Sequence, residues 1–161
     1  DVENLIFAGS GNFTGTGNGS ANVIAGGAGG DTLTGSGGAD TLNGGLGSDI
    51  FVYDDGHTGV GAARDTILNF GSDTINLQAI DANTSISGGG GNGQTFVLTA
   101  GGGTGAFTAA GQVHFEQIDT NGDLLLDSTL IQLNTTGTSA AEMEILLQGY
   151  TGTLTPSNFV F

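Results

Sequence analysis

A nine-residue period constrains this chain more than any other feature. Residues 26–34 read GGAGGDTLT, residues 35–43 GSGGADTLN and residues 44–52 GGLGSDIFV. All follow G-G-x-G-x-D-x-U-x, where U is a large apolar residue, and the one lapse is Ser36 at the second Gly. Residues 17–25, GNGSANVIA, keep the frame in weaker form, with Asn22 at the Asp position and Ile24 at U. One step further back Gly15 falls at U and the match fails; two steps back Ile6 occupies U.

Each part of the frame has a physical role. Clustered Gly permits tight reversal without a Cβ clash. The T-L-T or I-F-V piece is a strand of about three residues, with Ile24, Leu33, Leu42 and Phe51 pointing inward and their neighbours outward. Two nonapeptides make one turn of a flattened right-handed coil, so loops two repeats apart stack. The loop Gly26-Gly27-Ala28-Gly29 with Asp31 then meets the loop Gly44-Gly45-Leu46-Gly47 with Asp49. On the other side Asn22 meets Asp40, whose loop holds Gly35 and Gly37. The stack is expected to turn backbone carbonyls of both loops into the space between them, where they need partners. Carbonyls and carboxylates, about six to eight oxygens in all, suit Ca²⁺ rather than zinc or copper. This nonapeptide is a known calcium-binding β-helix repeat. A site with Asn22 in place of an Asp is expected to be the weaker one.

Composition narrows the partners. Lys plus Arg total 1, namely Arg64, against 16 Asp plus Glu, for a net charge of −15. Nucleic acid and anionic membrane surfaces are disfavoured and cations favoured. The 33 Gly show no three-residue period, which excludes collagen. Without Cys there is no disulfide staple, and bound metal is the obvious substitute. No apolar run reaches the roughly 18–20 residues that span a bilayer, so no membrane insertion is expected. The opening Asp1-Val2-Glu3-Asn4 has no signal-peptide pattern and starts in mid-frame, as a fragment of a longer chain would.

These motifs resemble the RTX family of haemolysin-type toxins, serralysin-type proteases, lipases and adhesins. The resemblance implies Ca²⁺ held between stacked loops by the Asp of each and by loop carbonyls. Asp31 with Asp49 matches the family pattern fully, and Asn22 with Asp40 departs from it. Residues 50–77 resemble the serralysin-type segment that closes the roll, with Asp65 and Asp73 at its two Asp positions. Strand pieces are expected at Ile50–Tyr53, Thr66–Phe70 and Thr74–Leu77. Asp65 is a candidate partner of Asp40 in a terminal Ca²⁺ site, against the alternative of a solvated turn residue.

Further on, 83–105 reads as a Gly-rich insertion holding a strand at Phe96-Val97-Leu98. The spacing D-x-N-G-D-x-x-x-D at 119–127 has the form of a calcium-loop opening, but Leu124 and Leu130 stand where an EF-hand needs Gly and Glu. A β-hairpin is favoured instead, with arms Val113–Ile118 and Thr129–Leu133 and a type I′ turn at Asn121-Gly122. Between a helix capped by Ser139 and a strand at 142–148, period-two alternation favours the strand. The ending LTPSNFVF resembles the export signal of type I secreted proteins, and a final edge strand is compatible with that.

No H-E-x-x-H and no G-x-S-x-G occur, so neither serralysin nor lipase chemistry is expected. His57 and His114 read as a solvated loop residue and an outward strand residue. The expectation is therefore an all-β chain: a parallel, β-helix-like β-roll at 1–52, then a β-rich, β-sandwich-like cap with the secretion signal at 53–161. It is non-catalytic, calcium-binding and secreted, a module of a larger bacterial protein, with the type I exporter as partner. A calcium-dependent surface-layer or adhesin subunit that self-assembles on the cell exterior is the alternative.

Overall fold

The computed structural model describes residues 3–80, 97–98, 110–136 and 140–161. Six three-residue strands lead the chain: β1 Asn4–Ile6, β2 Thr14–Thr16, β3 Val23–Ala25, β4 Thr32–Thr34, β5 Thr41–Asn43 and β6 Ile50–Val52. They are followed by β7 Asp65–Leu68, β8 Thr74–Asn76, β9 Val97–Leu98, β10 Gln112–Ile118, β11 Ser128–Asn134, β12 Met143–Gln148 and β13 Phe159–Val160. Of the Gly-rich stretch only β9 is described. Phe96 and the Ser139 cap lie outside the described residues.

The strands alternate between two sheets, as two nonapeptides per turn require. One sheet runs β1-β3-β5-β7-β12-β11-β10-β9 and the other β13-β8-β6-β4-β2. Every pair within the roll is parallel, with Ile24 against Leu42 and Leu33 against Phe51. The coil continues past residue 52: Leu42 lies against Ile67, and Phe51 against Ile75. Strands this short cannot stand alone; they are held by ladder bonds to both neighbours and by the inward column. Ile24, Leu33, Leu42, Phe51, Ile67 and Ile75 are all fully buried. Each contributes about 1.5–3 kcal/mol relative to exposure.

The N-terminal end corrects two sequence expectations. Leu5, not Ile6, lies against Ile24, and Ile6 is exposed. Gly15 does sit in the inward column, against Leu33, although it has no side chain to fill it. Phe13 supplies the missing volume: a Cβ on Gly15 would lie 2.6 Å from the Phe13 ring. Phe7 stacks on Phe13 with centroids 5.0 Å apart.

The C-terminal strands extend the sheet of the roll. β12 pairs parallel with β7, placing Leu147 on Ile67, and β11 and β10 follow antiparallel. One hydrophobic cluster accordingly runs from Ile24 through Ile145 to Phe159. β13 closes the second sheet as an edge strand on β8. The buried Glu144 ties cap to roll. Its carboxylate accepts hydrogen bonds from the Gly61 N–H at 2.8 Å and Gln132 at 2.9 Å, and pairs with Arg64 at 3.2 Å. Among the described residues no helix is long and apolar enough to cross a membrane.

Candidate metal centre

The stacked loops carry two ladders of carboxylates. On one side Asp31, Asp49 and Asp73 lie one above another; on the other, Asn22, Asp40 and Asp65. All six are buried. In each ladder a backbone N–H donates to one oxygen of the next side chain along. Asp31 N–H donates to Asp49 Oδ1 at 2.8 Å and Asp49 N–H to Asp73 Oδ1 at 2.9 Å. Asn22 N–H donates to Asp40 Oδ1, and Asp40 N–H to Asp65 Oδ1, both at 2.8 Å. The rungs are 18 residues apart within the repeats, and 24 or 25 where an insertion lengthens the turn. These bonds, with that of the Phe13 N–H to Asp31 Oδ1 at 2.8 Å, fix each carboxylate and leave its second oxygen aimed elsewhere.

Those second oxygens divide the ladder members into two classes. The Oδ2 atoms of Asp31, Asp49, Asp40 and Asp65 are buried with no hydrogen-bond partner. At one end of each ladder the side chain is already engaged: Asp73 Oδ2 accepts the Gly71 N–H at 2.9 Å, and Asn22 Oδ1 accepts the Asn18 N–H at 2.8 Å. The orphaned oxygens therefore fall into two adjacent pairs, Asp31 with Asp49 and Asp40 with Asp65. A buried carboxylate oxygen without a donor costs free energy unless a cation meets it. Among the described residues no three His, Cys, Asp or Glu side chains gather around one point, so side chains alone do not make a site. The donor set is two carboxylates and whatever backbone oxygens face them, which suits a hard cation.

Glycine makes this geometry available. A Cβ on Gly26, Gly35 or Gly44 would run into Oδ2 of Asp31, Asp40 or Asp49 respectively, so the first Gly of each repeat seats its own carboxylate. Gly45 and Gly47 have φ of 102° and 126°, and a Cβ on either would strike the carbonyl oxygen of Gly27 or Gly29 in the loop above. Ser36, at the second-Gly place of its repeat, adopts the same left-handed backbone, with φ 73°.

The loop carbonyls depart from the expectation that they lack protein partners. Gly27 O accepts the Leu46 N–H at 2.9 Å, Leu46 O accepts the Gly29 N–H at 2.8 Å, and Ala28 bridges to Leu46. The loops thus pair with each other, and a carbonyl keeps a second lone pair for another partner. Gly37 packs less closely; its Cβ would come no nearer than 3.6 Å to the Gly19 Cα.

Burial sets the electrostatics. It pushes the Asp65 carboxyl up to about 7, with the nearby Asp40 charge adding to the effect and the Asp40 N–H opposing it. Asp40 and Asp49 are raised for the same first reason; the charges of Asp73 and Asp31 add to it at Asp49. His57 sits in a turn, half-buried, and accepts the Asp54 N–H at Nδ1. Asp73 had a legible signal in its D-x-I-x-L strand but no sequence cue to its place below Asp49.

The 119–127 segment joins two hairpin arms, with Ile118 paired to Ser128. Its turn is a wider loop than a two-residue type I′ turn. The Asp119 carboxylate accepts N–H groups from Asn121, Gly122 and Leu124, which lowers its pKa. Leu124, Leu125 and Leu126 stand exposed beside it.

Residues 16–51 match the family model of the RTX calcium-binding nonapeptide repeat, in four copies. The repeats are calcium-binding, metal-holding elements rather than catalytic ones. The solution structure of the AlgE6R2 subunit of the Azotobacter vinelandii mannuronan C5-epimerase resembles the chain with a TM-score of 0.58 and 22% identity. That match covers 93% of this chain and 86% of that one, and it shows the fold. The AlgE6R3 subunit of the same epimerase aligns over 100% of this chain and 84% of its own, with 22% identity and a TM-score of 0.34. No curated protein matches.

Proposed function

We propose that the chain is a non-catalytic module of a larger secreted bacterial protein, folded by Ca²⁺ outside the cell. The observation that carries this reading is the set of four buried, partnerless carboxylate oxygens on Asp31, Asp49, Asp40 and Asp65. Calcium sits between Asp31 and Asp49 and between Asp40 and Asp65, with backbone oxygens of the 26–29, 44–47 and 35–37 loops completing each shell. Asn22, whose amide oxygen already serves the Asn18 N–H, contributes little. Without the ion, buried like charges stack along each ladder and oppose folding. With it, binding free energy becomes folding free energy.

Scarce cytosolic Ca²⁺ then keeps the chain unfolded for export, and abundant external Ca²⁺ folds it. Residues 1–52 are the calcium-holding unit, completed by Asp65 from the strand that continues the roll. Residues 53–161 cap the roll and carry a type I secretion signal at the C-terminus. Circular dichroism during a Ca²⁺ titration tests the reading. Disordered chain should become β-rich with Ca²⁺ and not with Mg²⁺, which demands tighter octahedral geometry. A chain already folded in excess chelator refutes it.

A further inference from the structure

The phenol of Tyr53 is the one other buried side-chain group without a hydrogen-bond partner among the described residues. Tyr53 is 1% exposed and directly follows β6, where its N–H donates to Asn76 O at 2.9 Å. Nine residues beyond Gly44, it stands at the first-Gly place of the next turn. The Asp of that turn is Asp65, because the ladder spacing lengthens there from 18 to 25 residues. In the three preceding repeats a Cβ at the first-Gly place would meet Oδ2 of that repeat's own Asp. A side chain at this place is therefore directed at Asp65 Oδ2, itself buried and partnerless. The electrostatics agree: after burial, the charges of Asp65 and then Asp40 are what hold the phenol well above its usual range.

We propose that Tyr53 is a positioning residue for the calcium site between Asp40 and Asp65, its hydroxyl donating a hydrogen bond to the Asp65 carboxylate and aiming it at the ion. The inference rests on the reading of Asp40 and Asp65 as a calcium pair. It also separates the two sites, since Gly44 stands at the corresponding place beside Asp49 and offers no donor. An ionised carboxylate accepts at about four lone-pair positions, so the Asp40 N–H, the phenol and the ion can share it.

Calorimetric Ca²⁺ titration of the full chain and of Tyr53→Phe, Asp65→Asn and Asp49→Asn tests this. Tyr53→Phe should bind the same number of ions with one class weakened about tenfold and the other unchanged, the scale of one hydrogen bond to a charged group. Two unchanged classes, or two equally weakened ones, overturn the proposal. If Asp65→Asn still binds every ion, the underlying calcium pair falls instead.

A second measurement keeps Tyr53 in place. The chain has 2 Tyr and no Trp, so Tyr150→Phe leaves Tyr53 as the sole tyrosine. Terbium bound in that variant should emit when tyrosine is excited, and the emission should vanish on adding Asp65→Asn. Bound terbium with no sensitised emission overturns the proposal.

Discussion

Asp49→Asn separates the ion from the scaffold that holds it. Asp49 Oδ1 accepts the Asp31 N–H at 2.8 Å, and the substituted amide oxygen can keep that bond. The orphaned Oδ2 and its charge are lost. The Asp31 site then has one carboxylate where it had two, while the Asp40/Asp65 site is untouched. With Ca²⁺ at about 100 times Kd, one site contributes about 2.7 kcal/mol to stability. In a chain of this size 1 kcal/mol moves Tm by about 2–4 °C, so saturating Ca²⁺ should leave the variant about 5–11 °C less stable. Thermal unfolding followed by circular dichroism reads the shift, and calorimetry should find one tight ion fewer. Asp123→Asn is the control. Asp123 is exposed and, among the described residues, bonds within its own loop, to Asn121 and the Leu125 N–H, so its effect should stay within about 0.5 kcal/mol. The reasoning is refuted if Asp49→Asn binds as many ions as the parent, or if Asp123→Asn costs as much.

Other consequences can be checked separately. Burial raises Asp65 from 3.8 to about 7, so the metal-free fold loses stability as pH rises through that window, and Ca²⁺ must displace a proton at its lower end. Lowering pH from about 7.5 to about 5.5 should weaken that site roughly twentyfold, with proton release seen by calorimetry in buffers of different ionisation enthalpy; pH-independent binding contradicts this. Gly47→Ala should be far more damaging than Gly56→Ala under denaturant unfolding in Ca²⁺. Both have positive φ, but only Gly47 lies against a carbonyl of the loop above, while Gly56 has open space. Equal losses mean that backbone strain alone governs the loop. Finally, residues 50–161 fused to a passive reporter should leave a cell that has a type I exporter, and residues 1–80 should not. The opposite result removes the export role from the C-terminal segment.

The nonapeptide frame by itself determined the roll, the inward column of Ile24, Leu33, Leu42 and Phe51, the facing of Asp31 on Asp49 and the choice of Ca²⁺. Each follows from local rules: period two in a strand, Gly where φ is positive, and two repeats per turn. The hairpin arms and the strand at 143–148 were legible in the same way, from alternation. Only the tertiary structure decided what depends on insertions and on distant partners. The chain between Tyr53 and Asp65 stretches one turn, so the sequence left Asp65 as a candidate partner of Asp40 beside the alternative of a solvated turn residue, and the bond from the Asp40 N–H decided between them. A slip of one residue puts Leu5 rather than Ile6 against Ile24, and Phe13 fills the space that Gly15 leaves. The pairing of β12 with β7, which makes the cap a continuation of the roll, joins residues some eighty positions apart. Which carboxylate oxygens stay orphaned was likewise invisible in the sequence. The ladder Asp residues look alike in sequence, and only the Gly71 N–H at Asp73 and the Asn18 N–H at Asn22 distinguish the engaged end of each ladder from its two orphaned rungs.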